Sequence, residues 1–227
     1  HMGFFFFFYN DYPGIFITFE GGDGAGKTTQ LDLLCSALSE RGYDVVKLHE
    51  PGGTELGEQI RKLLLEDRRE EMDPHAELML FEAARAQLVS QVIRPALAQG
   101  KVVVCDRFCD STVAYQGYGR HLGAELVDQA NRAVTQGLEP DCTILLKVPV
   151  QAGLARAKAA SASGAGDRME QAGAPFHERV SEAFDTLAHE HAGRFVVIDA
   201  RGTLDEVAAS VMQAVAPLLE RKGDARV

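Results

Sequence analysis

The chain has 227 residues, 46% of them hydrophobic and 25% charged, which excludes a disordered chain and a collagen-like repeat and favours one globular domain. No apolar run approaches the ~20 residues a membrane-spanning helix needs. With 23 Lys and Arg against 33 Asp and Glu, the net charge of −10 argues against broad nucleic-acid binding, so any anion must be held in a local pocket against the protein's own field.

In chain order, His1 and Met2 read as a cloning remnant and the aromatic run 4–8 as an extension, which places residues 1–13 outside the domain proper. Residues 15–19 form a short β-branched and aromatic strand that ends in the glycine-rich stretch 21–26. A helix follows from Lys27 to about Glu40 and stops before Gly42. Residues 45–48 read as the second strand and 55–65 as a helix, with Leu56, Ile60, Leu63 and Leu64 at helical spacing. A long helix is expected over 76–97, then a continuous apolar strand over 102–105 of the kind buried in a parallel sheet. Strands at 143–146 and 195–198, a helix ending near 154–158 and a closing amphipathic helix over 204–219 complete the pattern, with 221–227 as a tail. This alternation predicts an α/β, three-layer fold: a five-stranded parallel sheet with helices on both faces. The Ala, Ser and Gly run over 159–166 has no large apolar residue to pack and is expected to be a mobile lid, reaching to about 169.

The four cysteines (Cys35, Cys105, Cys109, Cys142) form no CxxC and lie in apolar segments, so they read as small core residues in a reducing cytoplasm. Cys105 and Cys109 lack the further ligands of a zinc site, and the seven histidines show no HExxH.

Gly21-Gly22-Asp23-Gly24-Ala25-Gly26-Lys27-Thr28 fits GxxxxGK[ST] at every fixed position, between an expected strand and an expected helix. Glycines let backbone N–H groups wrap a phosphate, and the helix N-terminus adds partial positive charge. Lys27 suits the outer phosphates and the Thr28 hydroxyl a magnesium ion, which identifies a nucleoside triphosphate site. An Asn-Lys-x-Asp guanine reader is absent, and a motor would need a longer chain, leaving a compact phosphoryl-transfer enzyme. Asp106 and Arg107 follow directly on the strand at 102–105, at the carboxyl edge of the sheet where such folds bind ligands. There an Asp can orient magnesium or its water, and an Arg offers a planar fork to a second phosphate.

The P-loop with Thr29, then Glu50-Pro51-Gly52-Gly53-Thr54, Asp106-Arg107-Phe108 and Ala114-Tyr115-Gln116-Gly117, in that order and spacing, resemble the bacterial thymidylate kinase family over about residues 14–220. The resemblance implies ATP- and Mg2+-dependent phosphorylation of dTMP to dTDP by a P-loop kinase fold with a lid, as a homodimer with no membrane or nucleic-acid partner. By position it implies that Phe81 stacks on thymine and Arg85 bonds its carbonyl edge; their i, i+4 spacing puts both on one helix face. It implies that Arg107 clamps the dTMP phosphate, that Arg61 lines the same site, and that Thr112 and Gln116 contact the base. Tyr115 is implied beside the deoxyribose, where it disfavours a 2′-hydroxyl, and Asp23 at the 3′-hydroxyl and the catalytic centre. The expected catalytic set is thus Lys27, Arg107, Asp106, Asp23 and a lid cation, with Thr28 and Asp106 toward the metal.

Two positions depart from the family pattern. His49 stands where family members commonly carry Arg, and the run 159–166 at the centre of the lid has no arginine, with only Arg156, Lys158 and Arg168 flanking it. Arg156 is therefore the expected catalytic lid cation, since its fork suits a phosphoryl group better than the point charge of Lys158. Arg168 is the runner-up, against the nucleotide. A kinase for another nucleoside monophosphate and a non-catalytic nucleotide-binding module are the alternative readings.

Overall fold

Strand β1 (Ile15–Glu20) sends successive side chains to opposite faces, and both faces are covered. In the computed structural model, which describes residues 12–66, 71–160 and 167–224, Ile15, Ile17 and Phe19 pack with Leu31, Leu34 and Leu38 of α1 (Lys27–Glu40) and with Val207, Val211 and Val215 of α9 (Leu204–Asp224). Phe16 turns the other way, into a cluster with Val103 and Cys105 of β3 (Val102–Asp106) and Leu88 and Ile93 of the helical layer opposite. With β2 (Val45–His49), β4 (Cys142–Lys147) and β5 (Phe195–Asp199) these make an all-parallel sheet in the order β2-β3-β1-β4-β5. The expected five strands are present, each extended by one or two residues. β1 has β3 on one side and β4 on the other, so connections diverge at its carboxyl end and open a crevice there.

The helices that frame the crevice are set by local chemistry. Thr54 caps α2 (Glu55–Leu65) by accepting a hydrogen bond from the Gly57 N–H at 2.9 Å. Asp73 caps α3 (Pro74–Leu88) by accepting from the His75 N–H at 2.8 Å, and Pro74 occupies the first turn, where its missing N–H is harmless. The helix therefore starts two residues earlier than the expected 76, and it is not uniform to 97. A π-helical segment, Val89–Ile93, separates it from α4 (Arg94–Ala98), next to Pro95, which cannot donate into the regular ladder.

Residues 109–119, which carry the Tyr115-Gln116 pair, are helical: α5 (Cys109–Thr112) runs into a π-helical stretch, Val113–Gly119. Helices α6 (Ala124–Thr135) and α8 (Ala174–Glu190) flank it, and neither was expected. α7 (Val150–Ala160) begins a turn before the 154–158 segment read from the sequence. Two boundaries shift. Tyr12, assigned to the terminal extension, packs on the β3 side of the core and accepts a hydrogen bond from Arg94 at 2.7 Å, and α9 runs past the expected end at 219 to Asp224. Cys105 and Cys142 are buried as expected, whereas Cys35 and Cys109 are partly exposed. The aromatic run 4–8 and the central lid residues 161–166, with the mobility expected of them, lie outside the described residues.

Candidate active site

At the carboxyl edge of β1 the chain turns through the glycine-rich loop into α1. Gly24 has φ +70°, and a Cβ there would lie 1.9 Å from the Gly153 carbonyl oxygen of α7, so only glycine fits. Gly26, with φ 88°, stands in the left-handed region at the helix start and leaves the first N–H groups of α1 without a side-chain cap. Lys27 curls back over this loop, donating from Nζ to the Gly21 and Gly22 carbonyls at 3.1 and 2.9 Å. Burial, then the charge of Arg107, push its ammonium down to about 8, so it is a cation held at a cost and ready to meet an anion. Asp23, Gly24, Gly26, Lys27, Thr28 and Thr29 border a cleft of about 990 Å³. Gly21, Gly22 and Ala25 do not border it; they shape the loop from behind, Ala25 being buried in the α1 side of the core.

Thr28 and Asp106 meet directly: Thr28 Oγ1 donates to Asp106 Oδ2 at 2.8 Å, joining the first turn of α1 to the end of β3. A hydroxyl beside a carboxylate is a hard oxygen set that fits magnesium, which takes one or two protein oxygens and completes its shell with phosphate and water.

Arg107 follows β3 into the cleft. Its backbone lies at φ 71°, uncommon for a residue other than glycine. Two bonds hold that turn: Arg107 N–H to Phe19 O at 2.9 Å, and Phe108 N–H to Oε1 of the wholly buried Glu20 at 2.8 Å. Glu20 Oε2 takes the Ser111 hydroxyl at 2.5 Å, and Ser111 Oγ in turn accepts from Arg107 Nη1 at 3.1 Å. Burial, with Asp110 nearby, raises the Glu20 carboxyl to about 8. The guanidinium thus set reaches Asp23 Oδ1 at 2.7 Å and lies 4.9 Å from the centroid of the Tyr115 ring, whose hydroxyl donates to Asp23 Oδ2 at 3.0 Å. Burial alone would push the Asp23 carboxyl up, but Arg107, Lys27 and His177 together hold it below the usual range. Asp23, Arg107 and Tyr115 are thus one hydrogen-bonded unit.

Further along the cleft Phe81, Arg85, Thr112 and Gln116 come together from α3 and from the segment following Arg107. Phe81 is only partly buried, over Ile60, Leu64 and Ala84, which leaves part of its surface to the cleft. Arg85 is more enclosed than expected. Nε and Nη2 reach Glu50 Oε2 at 2.8 and 2.6 Å, and Nη1 donates to Glu82, Thr112 and Asn131 at 2.8, 3.1 and 2.7 Å. One Nη2 hydrogen is left for the cleft. Burial raises Glu50 to about 7 against the pull of Arg85, and raises Glu82 as well. Gln116 donates from Nε2 to Glu77 Oε1 at 2.8 Å. Arg61 borders the same cleft, fixed by a bond to the Pro51 carbonyl at 2.9 Å, and His49 borders it with Nε2 2.8 Å from Glu58 Oε1.

On the lid side Arg156 is exposed and borders the cleft, and Lys158 does not. Arg168, expected at the nucleotide, is turned elsewhere: Nη1 pairs with Glu77 at 2.6 Å and Nε donates to the Leu64 carbonyl at 2.8 Å. Glu77 is fully buried, and only cations and amides satisfy it there, so it claims Arg168. Asp167, Met169 and Glu170 border the cleft in its place. Glu20, Ser111, Glu50, Asn131 and Glu77 are the structural partners that motif reading missed. Glu50 opens the Glu50-Pro51-Gly52-Gly53 segment, whereas Ser111 and Asn131 stand outside the matched motifs.

A parallel sheet with a phosphate-binding loop at its switch point, facing an arginine-lined second anion site, defines a P-loop kinase fold. A model of the thymidylate kinase family matches residues 19–211. Thymidylate kinase of Desulfovibrio desulfuricans is 47% identical over 213 residues, 92% of this chain and 98% of that protein. A Synechococcus thymidylate kinase is 50% identical over 205 residues, 90% of this chain and 96% of that one. The crystal structure of thymidylate kinase from Ehrlichia chaffeensis matches with a TM-score of 0.72 at 36% identity, covering 89% of this chain and 98% of its own. The chain belongs to the thymidylate kinase family.

Proposed function

We propose that the protein transfers the γ-phosphoryl group of ATP to the phosphate of dTMP. A dTMP phosphate oxygen bonds to the γ-phosphorus as the bond to the β–γ bridging oxygen breaks, giving dTDP and ADP. The observation that carries this reading is one continuous cleft bordered by Lys27, Thr28 and Asp106 and by Phe81, Arg85, Thr112 and Gln116, with Asp23, Arg107 and Tyr115 hydrogen-bonded to one another on its border.

Phosphoryl transfer asks for alignment and charge neutralisation rather than covalent catalysis. In this reading the P-loop holds the triphosphate, Lys27 neutralises its outer phosphates, and Arg156 approaches from α7. Arg107 and Arg61 hold the dTMP phosphate, and Asp23 and Tyr115 meet the deoxyribose. Thr28 and Asp106 would hold magnesium, which would supply charge neutralisation at the phosphates. Phe81 stacks on the base, and Arg85, Thr112 and Gln116 read its edge. The protein acts as a homodimer in the cytoplasm and without nucleic acid. The exposed Leu56 and Leu63 on one face of α2, with Met79 on α3, support association, and the net charge of −10 supports the absence of a polyanion partner. Among the described residues no helix is long and apolar enough to cross a membrane.

Incubation with ATP, magnesium and dTMP should yield dTDP and ADP in equal amounts, resolved by ion-exchange chromatography. Lys27→Ala should yield neither, with little change in thermal melting, because Lys27 supplies charge rather than packing. ADP without dTDP, or full turnover by Lys27→Ala, would overturn the reading.

A further inference from the structure

Gln116 is almost wholly buried yet borders the cleft, and its carboxamide can face the base in two ways: carbonyl inward or NH2 inward. The two are similar in shape and opposite in chemistry. Thymine offers an N3–H donor and a C4 carbonyl, whereas cytosine offers an N3 lone pair and a C4 amine.

We infer that Glu77 is the positioning residue that locks Gln116 with its carbonyl toward the base, and so sets selection of a thymine-type over a cytosine-type edge. The inference rests on the reading of Gln116 as a base contact. Glu77 is fully buried on α3, and Gln116 Nε2 donates to its Oε1 at 2.8 Å. Arg168 holds Oε2 at 2.6 Å, and Arg120 reaches Oε1 at 3.1 Å and Oε2 at 3.3 Å. Two guanidinium groups and an amide keep this carboxyl ionised against the effect of burial. An ionised carboxylate only accepts hydrogen bonds. Gln116 must therefore turn its NH2 to Glu77, and its Oε1, which receives no hydrogen bond among the described residues, is left as an acceptor. An acceptor there suits thymine N3–H and opposes the cytosine N3 lone pair. The donor that Arg85 presents adds to the same preference, since a C4 carbonyl accepts it and a C4 amine does not. Arg168, at the border of the lid, thus acts at the base end, as a counter-ion of Glu77.

The test is Glu77→Gln, which keeps the shape and replaces the acceptor-only carboxylate with a group that can both donate and accept, so that Gln116 can flip. The ratio of kcat/KM for dTMP to that for dCMP should fall at least tenfold, with the KM for ATP within about twofold of wild type, and Gln116→Leu should lower the ratio too. A purely structural role for Glu77 would lower both efficiencies together and leave the ratio intact. If Gln116→Leu collapses the ratio and Glu77→Gln does not, Glu77 does not set the amide and the inference is overturned while the base-contact reading stands. If Gln116→Leu also leaves the ratio unchanged, Gln116 is not a base contact and both fail. Should Glu77→Gln not fold, the wild-type enzyme decides: NMR should show the Gln116 side-chain NH2 protons, assigned by their loss in Gln116→Leu, exchanging slowly with and without dTMP. Exchange as fast as for an exposed glutamine would overturn the inference.

Discussion

Arg85 is enclosed so completely by Glu50, Glu82, Thr112 and Asn131 that removing it has two separable consequences. Arg85→Ala should raise the KM for dTMP far more than that for ATP, because a base carbonyl then goes unpaired at a cost of ~1–3 kcal/mol. The same change strands two buried carboxylates and should lower stability by ~3–5 kcal/mol in urea unfolding. An equal rise in both KM values would show that Arg85 does not read the base. Its i, i+4 relation to Phe81 was visible in the sequence because helical spacing is local. Its partners were not, since Glu50 lies 35 residues before it and Asn131 46 after, and only the folded chain brings them together.

α7 meets the P-loop backbone where Gly24 faces the Gly153 carbonyl, a contact closer than any side chain allows. That approach fixes the start of the lid relative to the phosphates and delivers Arg156, one turn further on, to the cleft. Arg156→Ala should therefore cut turnover at least tenfold, ~1.4 kcal/mol of transition-state stabilisation, with little change in the KM for dTMP. Arg168 does not itself border the cleft and pairs with Glu77, so Arg168→Ala should leave the transfer step much closer to wild type. Turnover that survives in the first variant and collapses in the second would make Arg168 the lid cation. The P-loop and its flanking strand and helix could be read from the sequence because glycine, lysine and threonine at fixed spacing have few other uses. Helix α6 was not read, although Val127, Ala130 and Val134 stand at helical spacing, and its buried Asn131 and Thr135 have the residue types of a solvated face.

Over the whole molecule, alternating strands and helices were enough to place the cleft, because a parallel sheet binds at its carboxyl edge. They did not reveal the buried charges beneath it, which arise from long-range packing. Those charges shape stability against pH. Glu50 and Glu20, ordinarily near 4.5, stand at about 7 and about 8 when folded, so between 4.5 and those values the native state binds more protons than the unfolded chain. Stability should therefore fall as pH rises from about 6 to 8. Carboxyls held low, such as Asp23 and Glu77, are ionised in both states across that window and contribute a constant. Lys27, lowered to about 8 from 10.5, acts in the opposite direction only above pH 8. Scanning calorimetry at pH 6, 7 and 8 should show a falling melting temperature that Glu50→Gln makes shallower. A wild-type melting temperature that rises across this range would mean these acids are not held protonated by the fold.

The central claim, a cleft that transfers phosphate to a thymine nucleotide, is tested most directly by coupled ADP release with dTMP, dUMP, dCMP and dGMP as acceptors. The account predicts the highest kcat/KM for dTMP. It predicts roughly 10–200-fold less for dUMP, which lacks only a methyl group in an apolar contact, and the poorest use for dCMP and dGMP, whose edges mismatch Arg85 and Gln116. Equal efficiency across the four, or a preference for any acceptor over dTMP, would contradict it.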